Sequence, residues 1–121
     1  MQNNPYIATE EVVNKQVVKY LEFKHLPFVH CPNEGKRDPR YGARLRANGM
    51  SAGFPDLFIF RPSGRYHGLA LELKREKGGR LSPAQAIWLE TLNAEGYKAV
   101  CAHGYEEAVA AIEKYIKDGK D

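Results

Sequence analysis

Between Leu69 and His103 the chain reads LALELK, then LSPAQAIWLETLNAEG, then YKAVCAH. This is an apolar strand, a helix marked at both ends, and a second apolar strand. Ser82 stands at the N-cap, Pro83 at the first helical position, Gln85 where a capping box needs it, and Gly96 just past the end. A strand, a helix and a strand in that order imply a parallel pair joined by a right-handed crossover. The fold class is therefore α/β.

The remaining elements arrange themselves around that unit. Two short apolar runs, Leu57–Phe60 and Leu69–Lys74, are separated by RPSGRYHG and read as a hairpin. A first helix runs from about Thr9 to Lys24. Thr9 is its N-cap, Glu10 and Glu11 lie in the first turn, and Val13, Val17, Tyr20 and Leu21 form its apolar stripe until Pro27 ends the pattern. FVHC is a short strand stopped by Pro32, and GYEEAVAAIEKYIKDG is a final amphipathic helix. From Asn33 to Gly53 no periodicity emerges, and the segment reads as a long loop of the kind that carries function or moves. The expected order is α-β-β-β-α-β-α, a mixed sheet flanked by helices in a single domain over residues 1–121.

Composition removes several classes of protein. With 121 residues the chain can bury a real core, and 43% hydrophobic with 27% charged residues argues against disorder or a fibrous repeat. No apolar run approaches the roughly 20 residues that span a bilayer, and no basic-then-apolar leader opens the chain. A cytoplasmic protein without a membrane partner is expected. Cys31 and Cys101 then read as reduced thiols; without a CxxC or Cys/His cluster they argue against zinc. His25, His30, His67 and His103 likewise show no ligand spacing, and Trp88 shares an apolar helix face with Leu92.

The net charge of +3 is mild, but its distribution is uneven. Lys36, Arg37, Arg40, Arg44 and Arg46 crowd one segment, and Arg75, Lys77 and Arg80 follow Lys74. Such clusters suit a phosphate backbone, although a solvated loop explains either one alone. Tyr41, between arginines, is a candidate for stacking on a base.

Charges at the ends of apolar strands need a reason. Strand side chains alternate, so Glu72 and Lys74 share one face, and Asp56 shares a face with Phe58 and Phe60. Leu57, Ile59, Leu69, Leu71 and Leu73 supply an unbroken apolar surface on the other side. A hairpin tip near Ser63–Gly64 sets Asp56 opposite Leu71 or Glu72. Two carboxylates so close repel each other unless one is protonated or a cation lies between them. Magnesium accepts one or two carboxylates together with waters and phosphate oxygens, and it polarises a phosphoryl group. A lysine beside it can orient water or neutralise developing charge. Alone, an exposed Glu-X-Lys pair or a turn-opening Asp after Pro is structural. Together, on adjacent strands beside basic loops, they point to phosphodiester cleavage.

Pro55–Asp56 followed by Glu72–Leu73–Lys74 resembles the signature of the PD-(D/E)XK nuclease superfamily. More narrowly, GFPDLFIF, the run LALELKREKGGRLSPAQAIWLETLNAEGYKAVCAHGYEEAVAAI and the upstream NEG resemble the VRR-NUC family in its small single-domain form of phages and bacteria, over Thr9 to Ile116. The resemblance implies a restriction-endonuclease-like sheet. It further implies Asp56, Glu72 and the Leu73 backbone carbonyl as ligands of Mg2+ or Mn2+, with Lys74 as the catalytic lysine. Gln85 would approach the metal, the capping box being the rival account. A first-helix glutamate would also lie near the metal; Glu10 fits better than Glu11, and dipole pairing explains either. The family implies a structure-selective DNA endonuclease, related to four-way-junction resolvases that act as homodimers with exchanged elements. A DNA-binding module without turnover, a ribonuclease and a restriction enzyme remain as alternatives. The complete signature disfavours the first, and the lack of room for a specificity insertion disfavours the last.

Overall fold

Leu57, Phe58 and Ile59 (β2, Leu57–Ile59) pair antiparallel with Leu71, Ala70 and Leu69 of β3 (Leu69–Lys74), as the hairpin reading expects. The structure, a computed structural model, describes residues 8–31, 39–49 and 52–119. On one side β1 (Phe28–His30) adds antiparallel to β2, and on the other β4 (Lys98–His103) runs parallel to β3. The sheet order is β1-β2-β3-β4, and α3 (Pro83–Ala94) makes the crossover between the parallel strands.

The two faces of the sheet are covered differently. On one, Leu57, Ile59, Leu69, Leu71 and Leu73 meet Val13, Val17 and Leu21 of α1 (Glu10–Phe23) and Ala108, Ile112 and Tyr115 of α4 (Gly104–Asp118). Each fully buried Leu or Ile there stabilises the fold by about 1.5–3 kcal/mol. On the other face Leu92 packs on Ala70 and Ala99, and Trp88, Phe54, Phe58 and Tyr97 fill in around them. Among the described residues α3 overlies β3 and β4 and leaves the β1–β2 half of this face without a helix. The free edge of β4 is blunted at Ala99. The Asn93 amide accepts the Ala99 N–H at 3.0 Å and donates to its carbonyl at 3.0 Å, standing in for a fifth strand.

Local signals account for the helix ends. Thr9 Oγ1 accepts the Val12 N–H at 3.2 Å to open α1. The helix closes with His25 at a φ of 57°. Leu26 N–H then reaches the Leu21 carbonyl and His25 N–H the Glu22 carbonyl, both at 3.1 Å, a Schellman closure normally built on glycine.

One expectation fails. The stretch from Asn33 to Gly53 is not simply a loop, because Pro39–Ala47 forms α2 and the observed order becomes α-β-α-β-β-α-β-α. The helix starts on a proline and is closed by Asn48, whose Nδ2 donates to the Arg44 carbonyl at 2.9 Å. Its described side chains show no apolar stripe, since Arg40, Ala43, Arg44, Arg46 and Ala47 are all exposed. Among the described residues it makes at most marginal contact with the other elements. No described helix is long and apolar enough to cross a membrane.

Candidate active site

Carried one residue beyond its last pair, the β2–β3 register sets Asp56 opposite Glu72, and β4 brings Cys101 beside Glu72 from the far side. Cys31 continues β1 in the same way, so one row across the sheet reads Cys31, Asp56, Glu72, Cys101. Asp56 is held by both neighbouring strands. Its Oδ2 accepts the Leu73 N–H at 2.7 Å. Its backbone carbonyl accepts the Cys31 N–H at 2.8 Å and His30 Nδ1–H at 3.1 Å. A carbonyl can only accept, so the second contact fixes the proton of His30 on Nδ1.

Beside Asp56 the polar groups are buried. Glu72 is 2% exposed, Lys74 6% and Gln85 8%, a degree of burial that charged side chains reach only when partnered. Lys74 Nζ lies 3.6 Å from Glu72 Oε2, and Gln85 Nε2 donates to that same oxygen at 3.2 Å. The other end of the Gln85 amide accepts the Ser82 N–H at 2.8 Å while Ser82 Oγ accepts the Gln85 N–H at 3.1 Å. The capping box of Gln85 and its contact with Glu72 are therefore compatible. One side chain closes the capping box of α3 and braces Glu72.

Two glycines make the close packing possible. Gly53 has a φ of +86°, and a Cβ there would lie 2.7 Å from the Ala84 carbonyl carbon and 2.8 Å from Gln85 N. Only a bare, left-handed residue lets the segment leading to Asp56 rest on the first turn of α3. A Cβ on Gly79 would come within 3.0 Å of Lys74 Cβ, so the loop after β3 folds back onto the lysine stem.

Charge is unbalanced in this pocket. Glu72 is pushed up from 4.5 to about 8, first by burial and then by the charge of Asp56 and a hydrogen bond to it; Lys74 opposes the shift and Glu10 adds to it. Lys74 sets one ammonium against the two carboxylates of the site. The donor set, two adjacent carboxylates with further positions left to carbonyl, water or phosphate oxygen, fits a hard divalent ion. No described group of three or more His, Cys, Asp or Glu side chains forms a cage for a metal. Burial, with Asp56 near Cys31 and Glu72 near Cys101, raises both thiols, which stay neutral. The glutamates of α1 separate as well. Glu11 faces outward to Lys15 at 3.3 Å, whereas the charge of Glu10 reaches Glu72.

Arg75, Lys77 and Arg80 are exposed on the segment directly after Lys74, and Arg40, Arg44 and Arg46 are exposed on α2. Lys36, Arg37 and the side chain of Tyr41 lie outside the described residues. Trp88 packs edge-on against Phe54 at 5.0 Å, consistent with its reading as core. The sequence reading missed His30 and Gly53, whose roles depend on a strand pairing and a close approach that no local motif encodes.

Residues 8–106 match the VRR-NUC domain. The chain belongs to the VRR-NUC family. A solved structure named VRR_NUC domain protein superposes with a TM-score of 0.80 at 32% identity, over 93% of this chain and 92% of its own. Another, named VRR_NUC domain, shares the fold with a TM-score of 0.63 at 21% identity, over 89% of this chain and 99% of its own. No curated protein matches the chain. Membership makes this a nuclease-family protein. In this VRR-NUC domain the residues that the motif singles out, Asp56, Glu72, Lys74 and Gln85, stand together on the α3 face of the sheet.

Proposed function

We propose that the protein is a divalent-metal-dependent, structure-selective DNA endonuclease that acts on branched DNA, such as four-way junctions, as a homodimer. The observation that carries this reading is the half-buried Asp56 set opposite the buried Glu72, with Lys74 and Gln85 on one Glu72 oxygen. Asp56, Glu72 and the Leu73 carbonyl would hold Mg2+ or Mn2+, with Glu10 adding negative potential. Such an ion supplies a polarised phosphoryl oxygen and a more acidic water.

The protein's own groups do the rest. Gln85 donates to Glu72 and keeps its carboxylate turned toward Asp56, while the Leu73 N–H fixes Asp56. Lys74, with its stem packed under Gly79, neutralises charge developing on the phosphate. Arg40, Arg44, Arg46, Arg75, Lys77 and Arg80 contact the phosphate backbone, so binding falls steeply with salt and reads structure in preference to sequence. Two sites related by a two-fold axis suit the cutting of paired strands at a junction. The exposed α2, before Gly53, is an element that two copies can exchange.

The test is cleavage of matched linear, flap, single-stranded and four-way DNA with Mg2+, Mn2+ or chelator, alongside Asp56→Ala and Lys74→Ala. Metal-dependent cutting of branched DNA that both variants lose supports the reading; cutting retained in Glu72→Ala refutes the site. Equal activity on every substrate removes the preference for branched DNA. A monomer by light scattering in the presence of DNA removes the dimer.

A further inference from the structure

Where α3 stops short, the strip over β1 and β2 is made of rings. Phe60 is 53% exposed and Val29 49% exposed, while Phe58 between them is half-buried. Val29 faces Phe58 across the β1–β2 pair. The Phe58 and Phe60 rings lie 4.8 Å apart, and Phe54 stacks on Phe58 at 6.5 Å with 8° between the planes. Gly68 makes room for the strip, since a Cβ there would be 3.1 Å from Phe58 Cε1.

The strip is continuous with the candidate site. Asp56, Phe58 and Phe60 alternate onto one face, so Phe60 lies about 13 Å along the strand from the carboxylate, a few nucleotides of extended chain. Of the cations on the neighbouring segments, Lys24 lies over the Tyr20 ring and Arg65 over the Tyr66 ring, both packed on the opposite face, so what ties the strip to a nucleic-acid strand is its continuity with Asp56 on one face.

We propose that Phe60, backed by Phe58 and Val29, is a ledge on which an unpaired base stacks when the phosphate of its strand lies at Asp56 and Glu72. This rests on the nuclease reading and deepens it. Inside a duplex both faces of a base are taken by its neighbours, so only an unstacked base can lie on the ledge. Every base has a π-face, so the contact selects unpaired strands without selecting sequence. The substrate class is then DNA with unpaired nucleotides a few positions from the cut, in preference to continuous duplex.

The test is fluorescence anisotropy with a labelled oligothymidine and a matched blunt duplex, in chelator so that nothing is cut. Wild type, Phe60→Ala and Phe60→Trp are compared, with thermal melting to confirm folding. The alanine variant is expected to bind the single strand about tenfold more weakly. Tryptophan should restore that binding, and the duplex should bind all three alike. Equal losses on both DNAs, or no loss on either, overturn the ledge. So does a change of oligomeric state in Phe60→Ala by light scattering, which would make the strip a contact between copies. Cleavage is measured separately. Wild-type cutting with unchanged single-strand affinity in Phe60→Ala removes the ledge and leaves the nuclease standing. Single-strand binding through Phe60 without any cutting does the reverse, and a wild type that binds no DNA overturns both.

Discussion

Replacing Glu72 by glutamine separates the electrostatic strain in this site from everything else that Glu72 does. In the metal-free protein the Glu72 carboxyl titrates near 8, against 4.5 for an unperturbed glutamate. The folded chain therefore keeps a proton that the unfolded chain releases. The resulting stability is full below about pH 4.5 and is lost as pH rises through 8. A shift of this size corresponds to a few kcal/mol, on the order of 10 °C in melting temperature for a domain of this length. Glutamine has the same shape and no charge to release. Its carbonyl can accept from Gln85 Nε2 and its amide can donate to Asp56. In chelator the wild-type melting temperature should fall between pH 5 and pH 9, and that of Glu72→Gln should stay nearly level, so the variant is the more stable protein at pH 9. Adding Mn2+ at pH 8 should reverse the order, because only the wild type has the second carboxylate. The assay is a series of thermal melts across pH with chelator or Mn2+. Parallel pH profiles for the two proteins, or equal stabilisation of both by Mn2+, would refute the account of a charge pair awaiting a cation.

Three further outcomes follow from the same geometry. Lys74→Ala should lower cleavage by about 10²–10³-fold while the melting temperature in Mg2+ changes little, read from single-turnover rates beside melts; a comparable loss of folding would make Lys74 structural. Gly53→Ala forces a side chain into Ala84 and Gln85 at a left-handed φ and should cost about 2–4 kcal/mol in denaturant unfolding. His25→Gly relieves the left-handed residue that ends α1 and should stabilise the protein by about 1 kcal/mol; no gain would mean that the His25 side chain is stabilising in place.

Much of the site was legible because its signals are local. Alternation along Leu69–Lys74 separates Glu72 and Lys74 from the leucines whatever else the chain does, and the hairpin length limits the partner of Asp56 to Leu71 or Glu72. The choice between those two needed the register Leu57 with Leu71. The double role of Gln85 was half visible: a capping box is a pattern of neighbours, but its approach to Glu72 depends on how α3 lies across the sheet. Glu10 and Glu11 are about 100° apart on a helix, and only the packing of Val13, Val17 and Leu21 against the core decided which one feels the site. α2 was missed because periodicity reports burial, and its described side chains are exposed.

The sequence by itself determined which residues are apolar, where chain direction changes and which charges stand at strand ends, since these follow from side-chain chemistry and short-range backbone preference. Tertiary structure alone decided that four strands line up Cys31, Asp56, Glu72 and Cys101, that His30 braces Asp56, and that Phe60 stays exposed beside the half-buried Phe58. Those relations join residues tens of positions apart, and no local energy specifies them until the sheet has closed.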